Sequence, residues 1–165
     1  MHYRVARWLQ PLMLAAVAVL FSPVIAAAPL SFQATINFSE QVFATGTETP
    51  CLLIGRITGV GIATKVGAIA VTSTDCINLL SPTDMSFGFA SHDVILKASN
   101  GDQLFAMYSG ILSAEGVITG EYTVYNGTGR FSNAKGSGDL NGFEVIDLTT
   151  GAGNGQITLR GVLAY

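Results

Sequence analysis

The chain has 165 residues, 12% of them charged and 49% hydrophobic, with a formal net charge of −3 and 19 glycines. So little charge beside so much apolar material excludes a disordered polar chain, and the negative balance excludes a basic nucleic-acid binder. The glycines argue against a mostly helical domain, because each one costs a helix interior about 1 kcal/mol relative to alanine.

His2, Arg4 and Arg7 open the chain, the apolar run PLMLAAVAVLFSPVIAAA (11–28) follows, and Ala26, Ala27 and Ala28 end it. A basic start, an apolar stretch and a small-residue end make the pattern of a cleaved export signal over residues 1–28. Pro29 disfavours cleavage directly before it, which favours Ala26 or Ala27 as the last residue removed. Pro11, Ser22 and Pro23 confine the uninterrupted run to about ten residues, short of the roughly 20 that a spanning helix needs, so no stable membrane span is expected after cleavage. Removal takes Arg4 and Arg7 but no acid, which leaves six of the eight basic residues against eleven acidic ones, a net charge of −5. The expectation is a secreted or periplasmic protein with one domain, residues 29–165. Cys51 and Cys76 would then meet an oxidising compartment, where a disulfide is expected. Two cysteines at this spacing, without a neighbouring pair of histidines, do not make a zinc pattern, so no metal site is expected.

The body reads as short strands between glycine-rich turns. FQATINF (32–38) alternates Phe32, Ala34, Ile36 and Phe38 against polar neighbours, the period of a half-buried strand. The polar, broken segment 39–50 reads as a loop. IGRITGVGIATKV (54–66) and GAIAVTSTDCINL (67–79) are rich in Val, Ile and Thr, and residues 80–92 read as irregular. DVILKAS (93–99) and QLFAMYSGIL (103–112) flank Asn100-Gly101, and GVITGEYTVY (116–125) ends at Asn126-Gly127. DLNGFEVIDL (139–148) and GQITLRGVLAY (155–165) complete the set. Asn and Gly tolerate the positive φ of a type I′ hairpin turn, so Asn100-Gly101 and Asn154-Gly155 are turn candidates. Asn141-Gly142, inside a run, is a candidate bulge. Regular short strands with such turns point to an all-β fold, a single antiparallel barrel or sandwich, and barrel closure would remove the exposed edges of so apolar a sheet.

Alternation places Ile118, Tyr122 and Val124 on one face with Gly116 and Gly120, and Ile157, Leu159, Gly161 and Leu163 on another. Glycine on an inward face either leaves space for a ligand or marks a tight bend. Candidates for chemistry are few. His92, in ASHD, is the mature chain's sole histidine, has no partner by spacing and follows no nucleophile elbow, which makes it a surface residue. Glu144 shares parity with Ile146 and Leu148, and Asp147 with Phe143 and Val145. One of these acids would point inward, with a raised pKa, but a one-residue slip exchanges the faces. Tyr108 and Tyr122 are core aromatics or residues that orient a ligand.

The stretches GDQLFAMYSG (101–110) and GVITGEYTVYNGTGRFSNAKGSG (116–138) resemble the allene oxide cyclase and dirigent barrel superfamily, most closely its secreted bacterial members. The turn Asn126-Gly127-Thr128-Gly129-Arg130-Phe131 stands where those members carry Gly-Gly-Thr-Gly-Arg-Phe, and Ala134, Gly136 and Ser137 follow in place. GIATKVG (61–67) is similar to another of their elements, with Lys65 where His is usual. The resemblance implies an antiparallel barrel of about eight strands, no cofactor, and a homo-oligomer. Plant allene oxide cyclases use an acid and a nearby Asn on the first strand. Asn37 matches the Asn, while Thr35 stands in the acid's place. In the turn itself, Phe131 would pack back on the core and Arg130 would hold backbone carbonyls or an acid such as Asp139. A phosphate cradle would need a following helix, for which 132–142 has no pattern.

Three functions are therefore expected, in this order: binding of a small, largely apolar molecule without catalysis; a cofactor-independent isomerase or cyclase; and a structural protein with a filled barrel. Asn37, Tyr108, Tyr122 and Glu144 are the candidate ligand-binding residues. A cavity of about 300 Å³ or more would separate the first two readings from the third. An inward acid beside it would favour the second over the first.

Overall fold

The computed structural model describes residues 28–45 and 50–165, and the expected export segment lies outside them except for Ala28. Eight strands follow in chain order: β1 (Leu30–Ala44), β2 (Leu53–Ala63), β3 (Gly67–Ser81), β4 (Ser86–Ala98), β5 (Gln103–Leu112), β6 (Val117–Gly127), β7 (Lys135–Asp147) and β8 (Ala152–Ala164). Each is antiparallel to the next, and β8 returns to β1 to close the barrel. The expected all-β antiparallel barrel is thus the fold observed. A single 3₁₀ turn, Gly129–Phe131, is the helical element among the described residues.

Several segments depart from the sequence reading. Residues 39–44 are not loop: β1 runs on to Ala44, paired with β2 throughout and with β8 as far as Gln41, so that Glu40 lies opposite Ile57 and Gly153. Of the segment 80–92, only 82–85 is turn, because β3 reaches Ser81 and β4 begins at Ser86. Asn100-Gly101 does turn the chain, with Gly101 at φ +93°. Asn154-Gly155 does not. The reversal before it is made by Asp147, whose carboxylate accepts the Thr149 amide at 2.8 Å, and by Gly151 at φ +71°. The chain is therefore already extended at Asn154, and the missing side chain of Gly155 makes room for the Phe38 ring. Asn141-Gly142 lies in an unbroken stretch of the β7–β8 ladder, not in a bulge. The register shifts occur elsewhere: between Thr72 and Cys76 and between Leu79 and Ser81 of β3, between Ser91 and Val94 of β4, and between Phe105 and Ala106 of β5.

The alternating residues fill one end of the barrel. Phe32, Ala63, Val66, Leu104, Phe131 and Leu163 are all buried there. Phe131 is fully covered and meets the Tyr165 ring edge-on at 5.0 Å, so it packs inward as expected. Arg130 donates to the Val66 carbonyl at 2.9 Å, which was expected, but its acidic neighbour is Asp102, at 3.9 Å, and not Asp139. Asp102 also accepts from Asn100 and from the Arg130 amide, which ties the β4–β5 turn to the 3₁₀ turn. Inward Gly120 and Gly161 leave no space for a ligand. A Cβ on either would strike backbone of the next strand, so these glycines serve the bending of the sheet. Cys51 and Cys76 form the expected disulfide, which anchors the segment before β2 to β3.

Candidate functional site

The opposite end of the barrel is hollow. A cavity of about 750 Å³ opens between the turns 82–85, 113–116 and 148–151. That is within the range of small-molecule sites. Its wall is largely aliphatic and aromatic, with Ile36, Phe38, Ile57, Val71, Phe89 and Leu140 among the contributors. Against this wall stand three buried acids, Glu40, Asp75 and Glu144, with Tyr108 and Ser73. No Lys, Arg or His is among the described residues lining it.

Each acid reaches the interior by strand parity. Glu40 continues the inward series Phe32, Ala34, Ile36, Phe38, and Asp75 continues Ile69, Val71, Ser73. Glu144 follows Leu140 inward on β7, which decides the parity left open by the sequence, while Asp147 is exposed in the turn. Glu40 on β1 and Glu144 on β7 are separated in sheet order by β8, whose Gly153 has no side chain to keep them apart. A Cβ on Gly153 would collide with Glu144 Oε1, and one on Gly55 of β2 would collide with Glu40 Oε1. The two carboxyls therefore meet over β8. Burial, reinforced by a hydrogen bond to Glu144 and by its charge, pushes Glu40 up to about 9. Burial also raises Glu144, against the hydrogen bond from Glu40 that lowers it. Near neutrality Glu40 keeps its proton and donates it to Glu144. The Oε1 atom of each has no hydrogen-bond partner among the described residues.

Asp75 sits in a second group, bonded through its Oδ1 atom. The Tyr108 hydroxyl donates to its Oδ1 at 2.5 Å, and Ser73 Oγ lies 2.9 Å from Asp75 Oδ1, from Ser91 Oγ and from the Tyr108 hydroxyl. Burial lifts Asp75 to about 7, although the bonds from Tyr108 and Ser73 pull the other way. Burial and the Asp75 charge push the Tyr108 phenol well above its ordinary value. The interrupted β3–β4 ladder makes this group possible. Where the register shifts, Ser91 turns inward beside Ser73, and Asp93 accepts from Ser91 at 2.9 Å and from the Thr74 amide at 3.3 Å.

Of the four residues expected to bind a ligand, Tyr108 and Glu144 line the cavity. Tyr122 lies inward but in the filled half, beside Phe32, its ring centroid 6.1 Å from the Phe32 ring. Asn37 is on the outer face, where its Oδ1 accepts from Gln156 Nε2 at 2.8 Å, because it has the opposite parity to Ile36 and Phe38. His92 is exposed on the outer face of β4. Glu40 was missed because 39–50 read as a loop, and Asp75 because its strand was read only for its Val, Ile and Thr content. Extending the two alternating series by one step finds both.

No three His, Cys, Asp or Glu side chains among the described residues are arranged to hold a metal ion. No family model and no curated protein matches the chain. Among solved structures it is similar to two pterocarpan synthase dirigent proteins. GePTS1 is 16% identical with a TM-score of 0.49, over 81% of this chain and 85% of that one; PsPTS1 is 12% identical with a TM-score of 0.47, over 84% and 97%. One antiparallel sheet of eight strands, closed by β1 against β8, is the architecture expected from the resemblance to allene oxide cyclase and dirigent barrels.

Proposed function

We propose that this is an exported barrel that takes a small, largely apolar molecule into its open end and moves a proton on it without a cofactor, as an isomerase or cyclase does. The observation that carries the reading is the Asp75–Tyr108 pair, hydrogen-bonded at 2.5 Å in the wall of an otherwise apolar cavity. A general base works best when its proton affinity lies near the working pH, and burial brings Asp75 to about 7. Tyr108 can relay or return the proton, and Ser73 fixes both groups. The cavity weighs against a filled structural barrel, and its acids favour chemistry over binding alone. The disulfide accords with an oxidising compartment.

The test begins with native mass spectrometry of protein isolated from its own source, to find a retained molecule. That molecule is then extracted and incubated in D₂O with wild-type protein, with Asp75→Asn and with Tyr108→Phe. Proton transfer predicts deuterium uptake at carbon, or conversion to an isomer, with the wild type and a loss of about 100-fold or more with Asp75→Asn. An unlabelled, unconverted ligand would leave binding as the function. A barrel that is always empty would defeat the ligand reading altogether.

A further inference from the structure

The Asp75–Tyr108 group leaves the second pair of carboxyls unused. Glu40 and Glu144 are each only 7% exposed, both line the cavity, and each holds an Oε1 atom with no hydrogen-bond partner among the described residues. Buried polar atoms are almost always bonded, and an orphan calls for a physical reason. Two glycines, Gly55 and Gly153, are needed to let these carboxyls lie where they do. Two acids brought together in an apolar wall are costly, and a cation bound beside them would take the place of the proton they share.

We propose that the Glu40–Glu144 pair anchors the positively charged head of the ligand, so that the cavity selects an apolar primary amine over the alcohol or the carboxylate of the same shape. This rests on the reading that the cavity takes a small apolar molecule, and it adds the chemical class of that molecule. An ammonium has three donors and no acceptor, which suits a site whose carboxylates only accept. The groups facing the pair agree. Asp75 from β3 and Tyr108 from β5 face it, Glu115 stands at the rim, and neither β2 nor β8 presents a titratable side chain there. None of these carries positive charge. The wall supplies aliphatic and aromatic surface for the rest of the ligand.

The binding reaction balances as a proton exchange. Near neutrality the free pair holds the Glu40 proton. An alkylammonium, which like Lys stays charged to about pH 10, enters with its positive charge, and the shared proton leaves to solvent. The two carboxylates and the ammonium together then carry one negative charge. Affinity should therefore rise with pH by up to about tenfold per unit, while one full proton is displaced.

Isothermal titration calorimetry with octylamine, octanol and octanoate tests this. Run at pH 6, 7 and 8, in buffers of different ionisation enthalpy, it reads both affinity and released protons. Octylamine should bind about tenfold or more tighter than octanol at pH 7, as expected for a desolvated charge pair. It should release close to one proton and tighten with pH, while octanol stays flat and octanoate binds least. The double variant Glu40→Gln, Glu144→Gln should keep octanol binding and lose the preference for the amine. Octanol or octanoate binding as well as octylamine, or octylamine binding without proton release, would overturn the anchor and leave the cavity reading standing. A double variant that still prefers the amine would do the same. If none of the three probes binds, the cavity reading falls and the anchor with it.

Discussion

The carboxyl pair should make this barrel less stable at pH 8 than at pH 5, the reverse of a protein whose acids are held in salt bridges. Glu40 titrates near 9 in the folded chain against an ordinary 4.5. Between pH 5 and 8 the folded state thus holds a proton that the unfolded chain has lost. The stability contributed by a raised acid is fully present below its unfolded pKa and is lost as pH rises toward the folded one. One proton corresponds to ~1.4 kcal/mol per pH unit, so Glu40 alone removes about 4 kcal/mol across these three units. Asp75, raised to about 7, has the same sign and removes about 3 kcal/mol more, nearly all of it below pH 7. Glu115 and Asp147 are lowered by their turn hydrogen bonds and titrate below this window. Urea unfolding of residues 29–165, followed by far-UV circular dichroism because the sole Trp, Trp8, lies in the expected export segment, reads the slope. For Glu40 alone the midpoint should fall by about 2 M between pH 5 and pH 8. Glu40→Gln should remove Glu40's share of the slope and be more stable than wild type at pH 8. A midpoint as high at pH 8 as at pH 5, or a Glu40→Gln variant with the wild-type slope, would refute the reasoning.

Other substitutions test separate parts of the structure. Gly55→Ala places a methyl where Glu40 Oε1 lies; it should cost about 1–3 kcal/mol by overpacking, and adding Glu40→Ala should recover part of that loss in thermal melts. Reducing the Cys51–Cys76 bond, which closes a 25-residue separation, should lower stability by about 3 kcal/mol in the chain-entropy description, read as a fall in urea midpoint with reductant. Tyr122 buries a hydroxyl that has no partner among the described residues, so Tyr122→Phe should leave stability unchanged or raise it by about 1 kcal/mol; a clear loss on melting would mean that the hydroxyl is bonded. Asp102→Ala breaks the bonds to Asn100 and to the Arg130 amide and should cost about 1 kcal/mol, with faster hydrogen exchange confined to 99–103 and 128–132.

Much of the barrel could be read in the residues because alternation is a local property. Ile118, Tyr122 and Val124, or Ile157, Leu159 and Leu163, announce an inward face without reference to any partner. Where each strand stops is not local. Ser39–Ala44 look broken by themselves, yet β2 pairs with all of them and β8 with Ser39–Gln41, and neighbouring strands outweigh weak strand propensity. Glu40 disappeared from view with that segment. Asn154-Gly155 misled for a related reason: the pair has turn chemistry, but Asp147 and Gly151 had already made the turn. The meeting of Glu40 with Glu144 depends on Gly153, on a third strand, and belongs to the closed sheet rather than to any stretch of chain. Glu144 could be nominated but not oriented, since parity on β7 is set by its neighbours.

The closure of β1 against β8 has a consequence for how the chain is made. Strands that are consecutive in sequence can pair as soon as both exist, but Leu30–Gln41 finds its second partner only in Ala152–Leu163. Synthesis runs from β1 to β8, so β1 is the first strand to emerge and the last to be covered on both sides. Until Ala152–Ala164 arrives, it offers an open edge with Phe32, Ile36 and Phe38 unburied, the kind of strand that pairs with stray copies. Leu30–Ala44 is where a holdase chaperone would bind the nascent chain to best effect, and a chain cut short before β8 would keep that edge open for good.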